Sequence, residues 1–188
     1  MNKSLSYWLL MLSLVCGAVQ AGAPDARTPI AFGDLPLNLA VKQVRGNGQR
    51  IFATFEDPNC GYCKKLAKEI QGMTDVTIYT FMYPILSSDS GEKSKAIWCA
   101  HDKAGAWNDW MINGKEPTAG KGKCDAPNEQ VVSLGRKLKV RATPTLFLVN
   151  GERITGMLSK MELEMAISSP KVLSYQVNMT RKGDAARP

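Results

Sequence analysis

The hydrophobic and polar positions of this chain follow two periods, one typical of strands and one typical of helices. Short apolar runs predict strands at residues 51–55, 76–82, 145–149 and 152–155. Apolar residues spaced three and four apart predict helices at residues 60–72, 94–111 and 128–140, and a last helix after Ser159. Residues 35–44 combine both spacings, so the pattern there leaves strand and helix open.

Capping and turn residues place several of the boundaries. Asn59 is a good N-cap residue, which predicts that a helix begins directly after the strand at residues 51–55. The Asn150-Gly151 pair predicts a tight hairpin turn between the last two strands. Ser159 and Glu162 have the spacing of a capping box. Beyond about Pro170 no period is evident.

The order of the elements predicts an α/β fold with a helical insertion. The stretch between the second strand and the strand that follows Pro144 is far longer than a βαβ unit needs, which is about 30 residues in all. We therefore expect an α/β domain at residues 35–170, with the insertion at about 88–140. A flexible segment at residues 22–34 precedes it, and a flexible tail at 171–188 follows it.

The first residues have the pattern of a secretion signal. Lys3 provides a positive start, Leu5 to Val15 is an apolar run, and Val19 to Ala21 resembles a signal-peptidase site. We expect a signal peptide at residues 1–21 with cleavage after Ala21. The alternative is a signal that is retained as an anchor. Export would place the protein where disulfide bonds persist.

Composition excludes several classes of function. The 188 residues hold 24 Lys and Arg against 17 Asp and Glu, a net charge of +7. The positive charge is modest, and the sequence has neither an arginine-rich helix nor alternating basic and aromatic residues. No nucleic-acid partner is therefore expected. No glycine-rich phosphate loop is visible, and His101 is the only histidine. We therefore expect neither a cofactor nor a metal.

Cys60 and Cys63 form a Cys-Gly-Tyr-Cys motif at the junction of an apolar strand and a helix. The unpaired N–H groups at a helix N terminus favour an anion, and the thiolate is the reactive form of cysteine. Cys60 is thus the expected nucleophile. Cys63, one turn deeper, is the expected resolving thiol. The alternatives for this pair are a structural disulfide and a zinc site.

Cys99 and Cys124 flank the predicted insertion and remain with the first pair once the signal is removed. We expect a structural disulfide between them, with a chain-entropy contribution of about 3.5 kcal/mol. The alternative is a second redox pair that passes electrons to the first. Their wide spacing argues against a four-cysteine zinc site.

Three further groups are expected at the site. Thr143-Pro144 opens a strand, where a cis peptide would leave the Thr143 backbone free to pair with an extended substrate. The alternative is an ordinary trans proline. Tyr62, inside the motif, is expected to contact the substrate as well. Asp57 and Glu56 could relay protons for the thiols, or equally be solvated charges at a strand end.

The segment from Phe55 to Leu66, with sequence FEDPNCGYCKKL, resembles the active-site segment of the DsbC/DsbG thiol:disulfide interchange proteins. The Ile97 to Ala100 segment with the later Cys124-Asp125 is similar to the second, structural cysteine pair of that family. Thr143-Pro144 resembles its cis-proline loop. The likeness covers about residues 35–170.

The resemblance implies a thioredoxin-like fold and a periplasmic disulfide isomerase or reductase. It also implies disulfide-containing exported proteins as substrates and a membrane reductase of the DsbD type as electron donor. Typical members carry an N-terminal dimerisation domain, whereas only residues 22–59 separate the predicted signal from Cys60. A short, monomeric form is therefore expected. The alternatives are a net disulfide oxidase and a peptide-binding chaperone module with structural disulfides.

Overall fold

The computed structural model describes residues 31–185 of the chain. The predicted signal at residues 1–21 lies outside this range. Within the described residues, no helix is both long enough and apolar enough to cross a membrane.

A mixed sheet of five strands forms the centre of the described region. The strands are β1 (Val41–Arg45), β2 (Arg50–Glu56), β3 (Val76–Met82), β4 (Thr145–Leu148) and β5 (Arg153–Thr155). Their spatial order is β1-β3-β2-β4-β5. β2 runs parallel to β3, and the other pairs are antiparallel. β2 therefore lies at the middle of the sheet, as its continuous apolar run predicts.

Helices connect and cover these strands. They are α1 (Gly61–Gln71), α2 (Ser88–Trp98), α3 (Lys103–Asn113), α4 (Asn128–Lys137), α5 (Lys160–Ile167) and α6 (Pro170–Ala185). Helices α2, α3 and α4 all lie between β3 and β4, so the predicted α/β fold with a helical insertion is confirmed. The Asn150-Gly151 turn joins β4 to β5, and Gly151 takes the positive φ of 83° that this turn requires.

The core consists of two clusters of buried side chains. The larger is built around Phe55, whose ring stacks on Phe81 at 4.7 Å and meets Tyr83 and Phe147 edge-on. The smaller cluster contains Cys60 and Cys63 together with buried residues of the insertion, among them Trp107. The cysteine pair is thus packed against the insertion rather than left on an open helix end.

The chain enters the core earlier than expected. Residues 22–30 of the segment expected to be flexible lie outside the described range. In the remainder, Phe32 is only 2% exposed and begins a short 3-10 helix (Phe32–Asp34). The ambiguous stretch at residues 35–44 contains both elements. A second 3-10 helix, Leu37–Leu39, precedes β1.

The single helix predicted at residues 94–111 is wrong, because two helices share that stretch. Ser87 caps α2, since its hydroxyl accepts a hydrogen bond from the Ser90 N–H at 3.1 Å, and the helix ends at Trp98. Asp102 then caps α3 by accepting from the Gly105 N–H at 2.9 Å. The apolar spacing continues across the break, so the Asp102 cap is the local feature that marks it.

The described part of the tail expected to be flexible at residues 171–188 also differs from that expectation, while residues 186–188 lie outside the described range. α6 starts at Pro170, a residue well suited to the first helical position, and its Val172 is fully buried in the larger core cluster. The capping box of α5 is confirmed, with Ser159 and Glu162 exchanging both hydrogen bonds. α4 ends at Lys137, before the predicted residue 140, and Lys139 takes a left-handed conformation.

Candidate active site

The Cys60–Cys63 pair lies where β2 passes into α1. The N-cap residue is Cys60 itself, which corrects the prediction of Asn59, because the Cys60 carbonyl accepts the first helical hydrogen bond from the Lys64 N–H at 3.0 Å. No side chain caps this helix end. The Cys60 sulfur therefore lies beside the N-terminal N–H groups of α1, the position that the sequence predicts for a reactive thiol.

Neither thiol is in a disulfide, and the two differ in environment. Cys60 is 7% exposed, whereas Cys63 is completely buried. Burial raises the pKa of the Cys63 thiol well above its usual range, and the carboxyl group of Glu56 and a hydrogen bond with Cys60 raise it further. Cys60 is thus the thiol that a partner protein can reach, and Cys63 holds its proton until something removes it.

The Thr143-Pro144 loop lies directly against Cys60. Its peptide bond is cis, and the Thr143 carbonyl oxygen is 3.4 Å from the Cys60 sulfur, which donates to it. Tyr62 projects from the first turn of α1 and is 63% exposed. The Thr143 backbone thus contacts the Cys60 sulfur, and Tyr62 presents an exposed ring two residues after Cys60.

Glu56, at the end of β2, is 1% exposed and faces the same interior as Cys63. Its Oε2 has no hydrogen-bond partner among the residues that the structure describes. Burial raises the pKa of Glu56 to about 8, against a smaller opposing effect of the Thr54 hydroxyl. The alternative of a solvated strand-end charge is therefore wrong for Glu56.

Asp57 is also buried, but its carboxylate is fully engaged. Its Oδ1 accepts from the Asn59 N–H and the Ser90 hydroxyl, both at 2.8 Å. Its Oδ2 accepts from the N–H groups of Ile85 and Leu86 at 2.8 and 2.9 Å. The solvated alternative is wrong here too. With four donors around it, Asp57 ties the active-site loop to the segment that leads into α2.

An Asp57→Asn substitution should destabilise the fold by about 3 kcal/mol, because an amide turns one oxygen acceptor into a donor that faces other donors. Urea unfolding of the two proteins measures this difference. Ser90→Ala, which removes one of the four bonds, is the matched control and should cost about 1 kcal/mol. Equal costs for the two variants would contradict the anchoring role of Asp57.

Two contacts to the insertion were not predicted from the sequence. The Asn59 side chain, expected to cap α1, instead donates to Asp89 Oδ2 at 2.6 Å. Trp110, on α3, donates from Nε1 to the Pro58 carbonyl oxygen at 2.7 Å. The separation of 52 residues between Trp110 and Pro58 explains why no local pattern indicated this bond.

The second cysteine pair closes part of the insertion. A disulfide joins Cys99, at the end of α2, to Cys124, in the segment that precedes α4. Across the described residues, no group of three His, Cys, Asp or Glu side chains is arranged to hold a metal ion. His101, two residues after Cys99, is exposed.

Comparison with known proteins agrees with the fold and the cysteine motif. A family model described as a thioredoxin-like domain matches residues 37–169. The crystal structure of a disulfide interchange protein from Neisseria gonorrhoeae superposes with a TM-score of 0.68 and 42% sequence identity, covering 73% of this chain and 99% of that one. The chain belongs to the thioredoxin-like family and, within it, to the disulfide interchange proteins.

Curated relatives carry a more specific name. A probable thiol:disulfide interchange protein DsbC of Bordetella parapertussis is 53% identical over 135 residues, which are 72% of this chain and 48% of the relative. The thiol:disulfide interchange protein DsbC of Escherichia coli K12 is 32% identical over 120 residues, 62% of this chain and 50% of the relative. The chain spans about half the length of these curated relatives.

Proposed function

We propose that the protein catalyses thiol–disulfide exchange on exported proteins, as an isomerase or reductase that uses Cys60 and Cys63. The observation that carries this proposal is the juxtaposition of a reachable Cys60, a buried Cys63 and the Thr143 carbonyl, 3.4 Å from the Cys60 sulfur. A partner that approaches Cys60 must therefore also meet the Thr143 backbone. The similarity to proteins named DsbC supports the same activity.

The exchange has two chemical steps. In the first, the Cys60 thiolate attacks one sulfur of a substrate disulfide, that disulfide breaks, and the other substrate sulfur leaves as a thiolate that takes up a proton. In the second, the Cys63 thiolate attacks the Cys60 sulfur and displaces the remaining substrate thiolate. The substrate has then gained two electrons, and Cys60–Cys63 is a disulfide. In isomerisation, a thiolate of the substrate attacks instead, and no net oxidation occurs.

Glu56 is the group we assign to the proton of Cys63. A general base works best when its pKa lies near the working pH, and burial brings the pKa of Glu56 to about 8. Its unpaired Oε2 is available to accept a proton. Asp57 lacks this freedom, since four donors occupy its carboxylate, so we assign it a positioning role.

The substrate side of the site is formed by Thr143, Pro144 and Tyr62. An extended chain that carries the disulfide can pair with the Thr143 backbone as an added strand. The exposed ring of Tyr62 can pack on the same chain. We further propose that the Cys99–Cys124 disulfide is structural, because it restrains the segment between α2 and α4.

Location and electron supply complete the proposal. The signal pattern at residues 1–21 and the DsbC relatives favour a periplasmic protein. An isomerase or reductase must be returned to its dithiol form. A membrane reductase of the DsbD type is the partner we propose for that step, which moves two electrons to Cys60–Cys63.

The proposal predicts an easily reduced Cys60–Cys63 disulfide. After equilibration in glutathione buffers and trapping of free thiols, Cys60 and Cys63 should exchange with glutathione while Cys99–Cys124 stays oxidised. The same protein should reactivate a ribonuclease with scrambled disulfides. Strong oxidising power without this reactivation would indicate a net oxidase. A Cys60–Cys63 bond as resistant as Cys99–Cys124 would refute exchange and leave a peptide-binding module.

A further inference from the structure

The indole of Trp110 links the helical insertion to the loop that precedes Cys60. Its Nε1 donates to the Pro58 carbonyl oxygen at 2.7 Å, and Pro58 lies two residues before the proposed nucleophile. Pro58 is buried and Trp110 is half-buried, so this bond forms in partly desolvated surroundings, where hydrogen bonds are stronger. A single side chain of α3 thereby restrains the path of the active-site loop.

Two lysine ammonium groups lie over the same indole ring. Lys64 Nζ is 4.0 Å from the ring centroid and Lys93 Nζ is 4.6 Å from it. Tryptophan is the aromatic side chain that attracts cations best. Lys64 directly follows Cys63 in the first turn of α1. Trp110 therefore holds a positive charge beside the cysteine motif, where a free lysine side chain would otherwise move through solvent.

Lys93 connects this ring to a second contact with the loop. Its ammonium, on a side chain only 10% exposed, pairs with Asp89 and Glu116, each at 2.9 Å. Asp89 Oδ2 in turn accepts from the Asn59 side chain at 2.6 Å. The two residues that immediately precede Cys60 are thus both bound to the insertion. We call Trp110, Lys93 and Asp89 the insertion clamp.

We propose that Trp110 is a positioning residue for the exchange reaction, holding the loop before Cys60 through Nε1 and the ammonium of Lys64 through its ring. This inference rests on the proposed function, and it deepens that function by naming how the insertion serves the cysteine pair. A cation held next to the cysteine motif favours the reduced pair over the neutral disulfide. A fixed loop keeps the Cys60 sulfur in line for attack by Cys63, the step that releases the substrate thiolate.

Two substitutions at Trp110 separate these two effects. Trp110→Phe keeps an aromatic ring for Lys64 but removes the bond to Pro58. It should leave the equilibrium with glutathione within about twofold and slow the resolution of a Cys60–glutathione mixed disulfide by about fivefold. Trp110→Leu removes both contacts, so it should slow resolution as much and also shift the equilibrium about fivefold toward the Cys60–Cys63 disulfide.

Two lysine substitutions provide the test of the charge and its control. Lys64→Met should shift the glutathione equilibrium toward the disulfide about as far as Trp110→Leu does, with resolution little changed. Lys103→Met is the matched control, because Lys103 Nζ lies 3.6 Å from the centroid of Trp98, an equivalent contact elsewhere in the insertion. It should leave both the equilibrium and the resolution rate as in the wild type.

The outcomes distinguish this inference from the proposed function beneath it. A wild-type pair that does not exchange with glutathione would refute the proposed function itself. Exchange in the wild type, with Trp110→Phe and Lys64→Met indistinguishable from it in both measurements, would refute only the role of Trp110. The role of Trp110 would also be refuted if Lys103→Met changed the glutathione equilibrium and the resolution rate as much as Lys64→Met and Trp110→Phe do. If Trp110→Leu does not fold, the other two variants still decide the question.

Discussion

A Cys60→Ser variant should lose disulfide exchange, with insulin reduction falling by on the order of a thousandfold or to the uncatalysed rate. The physical reason lies in the asymmetry of the pair. Cys60 is the thiol with an exposed fraction, and it lies beside the N–H groups at the start of α1, whereas Cys63 is fully enclosed and holds its proton. A serine hydroxyl does not ionise near neutral pH and cannot form a disulfide.

Cys63→Ser is the matched control, because it leaves the first step intact and removes the second. Incubation with a disulfide substrate should then accumulate a mixed disulfide on Cys60, which is detectable as a covalent adduct that a reductant removes. A mixed disulfide on Cys63 in the Cys60→Ser protein, or retained insulin reduction there, would reverse the assignment of the two roles.

Much of the framework could be predicted from local sequence. The apolar run of β2, the hairpin at Asn150-Gly151 and the capping box at Ser159 each depend on residues close together in the chain, and all three form as predicted. The position of the cysteine motif followed from the same local patterns. A local sequence pattern is sufficient to predict an element when its hydrogen-bonding and packing partners lie close together in the chain.

Other features depend on partners far away in the chain, and there the sequence was a poor guide. Three of the four donors to the Asp57 carboxylate lie 28 to 33 positions later in the chain, so its burial could not be told from a solvated charge. Asparagine is a residue type favoured at helix N-caps, but the side chain of Asn59 instead donates to Asp89, 30 positions away. α6 carries no clear period, yet burial of Val172 against the core fixes its first turns.

Glu56 should make the stability of the protein depend on pH. Its pKa is about 8 in the folded chain and about 4.5 when the side chain is free in water, so the folded state keeps a proton that the unfolded state loses between these values. The free energy of unfolding therefore falls as pH rises through this window and levels off above it. Between pH 5 and pH 8 the expected loss from this one group is about 3 kcal/mol.

Glu56→Gln isolates this contribution because glutamine has nearly the same shape and does not titrate. Urea unfolding of both proteins at pH 5 and pH 8, with Cys99–Cys124 intact, should show the variant gaining about 3 kcal/mol relative to the wild type at the higher pH. Other carboxyl groups contribute equally to both proteins and cancel in the difference. Parallel pH curves would mean that Glu56 is not the buried titrating group.

The same variant tests whether the buried carboxyl group of Glu56, which destabilises the fold at high pH, also takes part in the exchange reaction. If Glu56 accepts the proton of Cys63, Glu56→Gln should resolve a mixed disulfide on Cys60 about tenfold or more slowly at neutral pH, while Cys60 still forms that disulfide at the wild-type rate. A stabilised variant with unchanged resolution would leave Glu56 without a catalytic role. Slower resolution together with higher stability at pH 8 identifies a group retained for function at the expense of the fold.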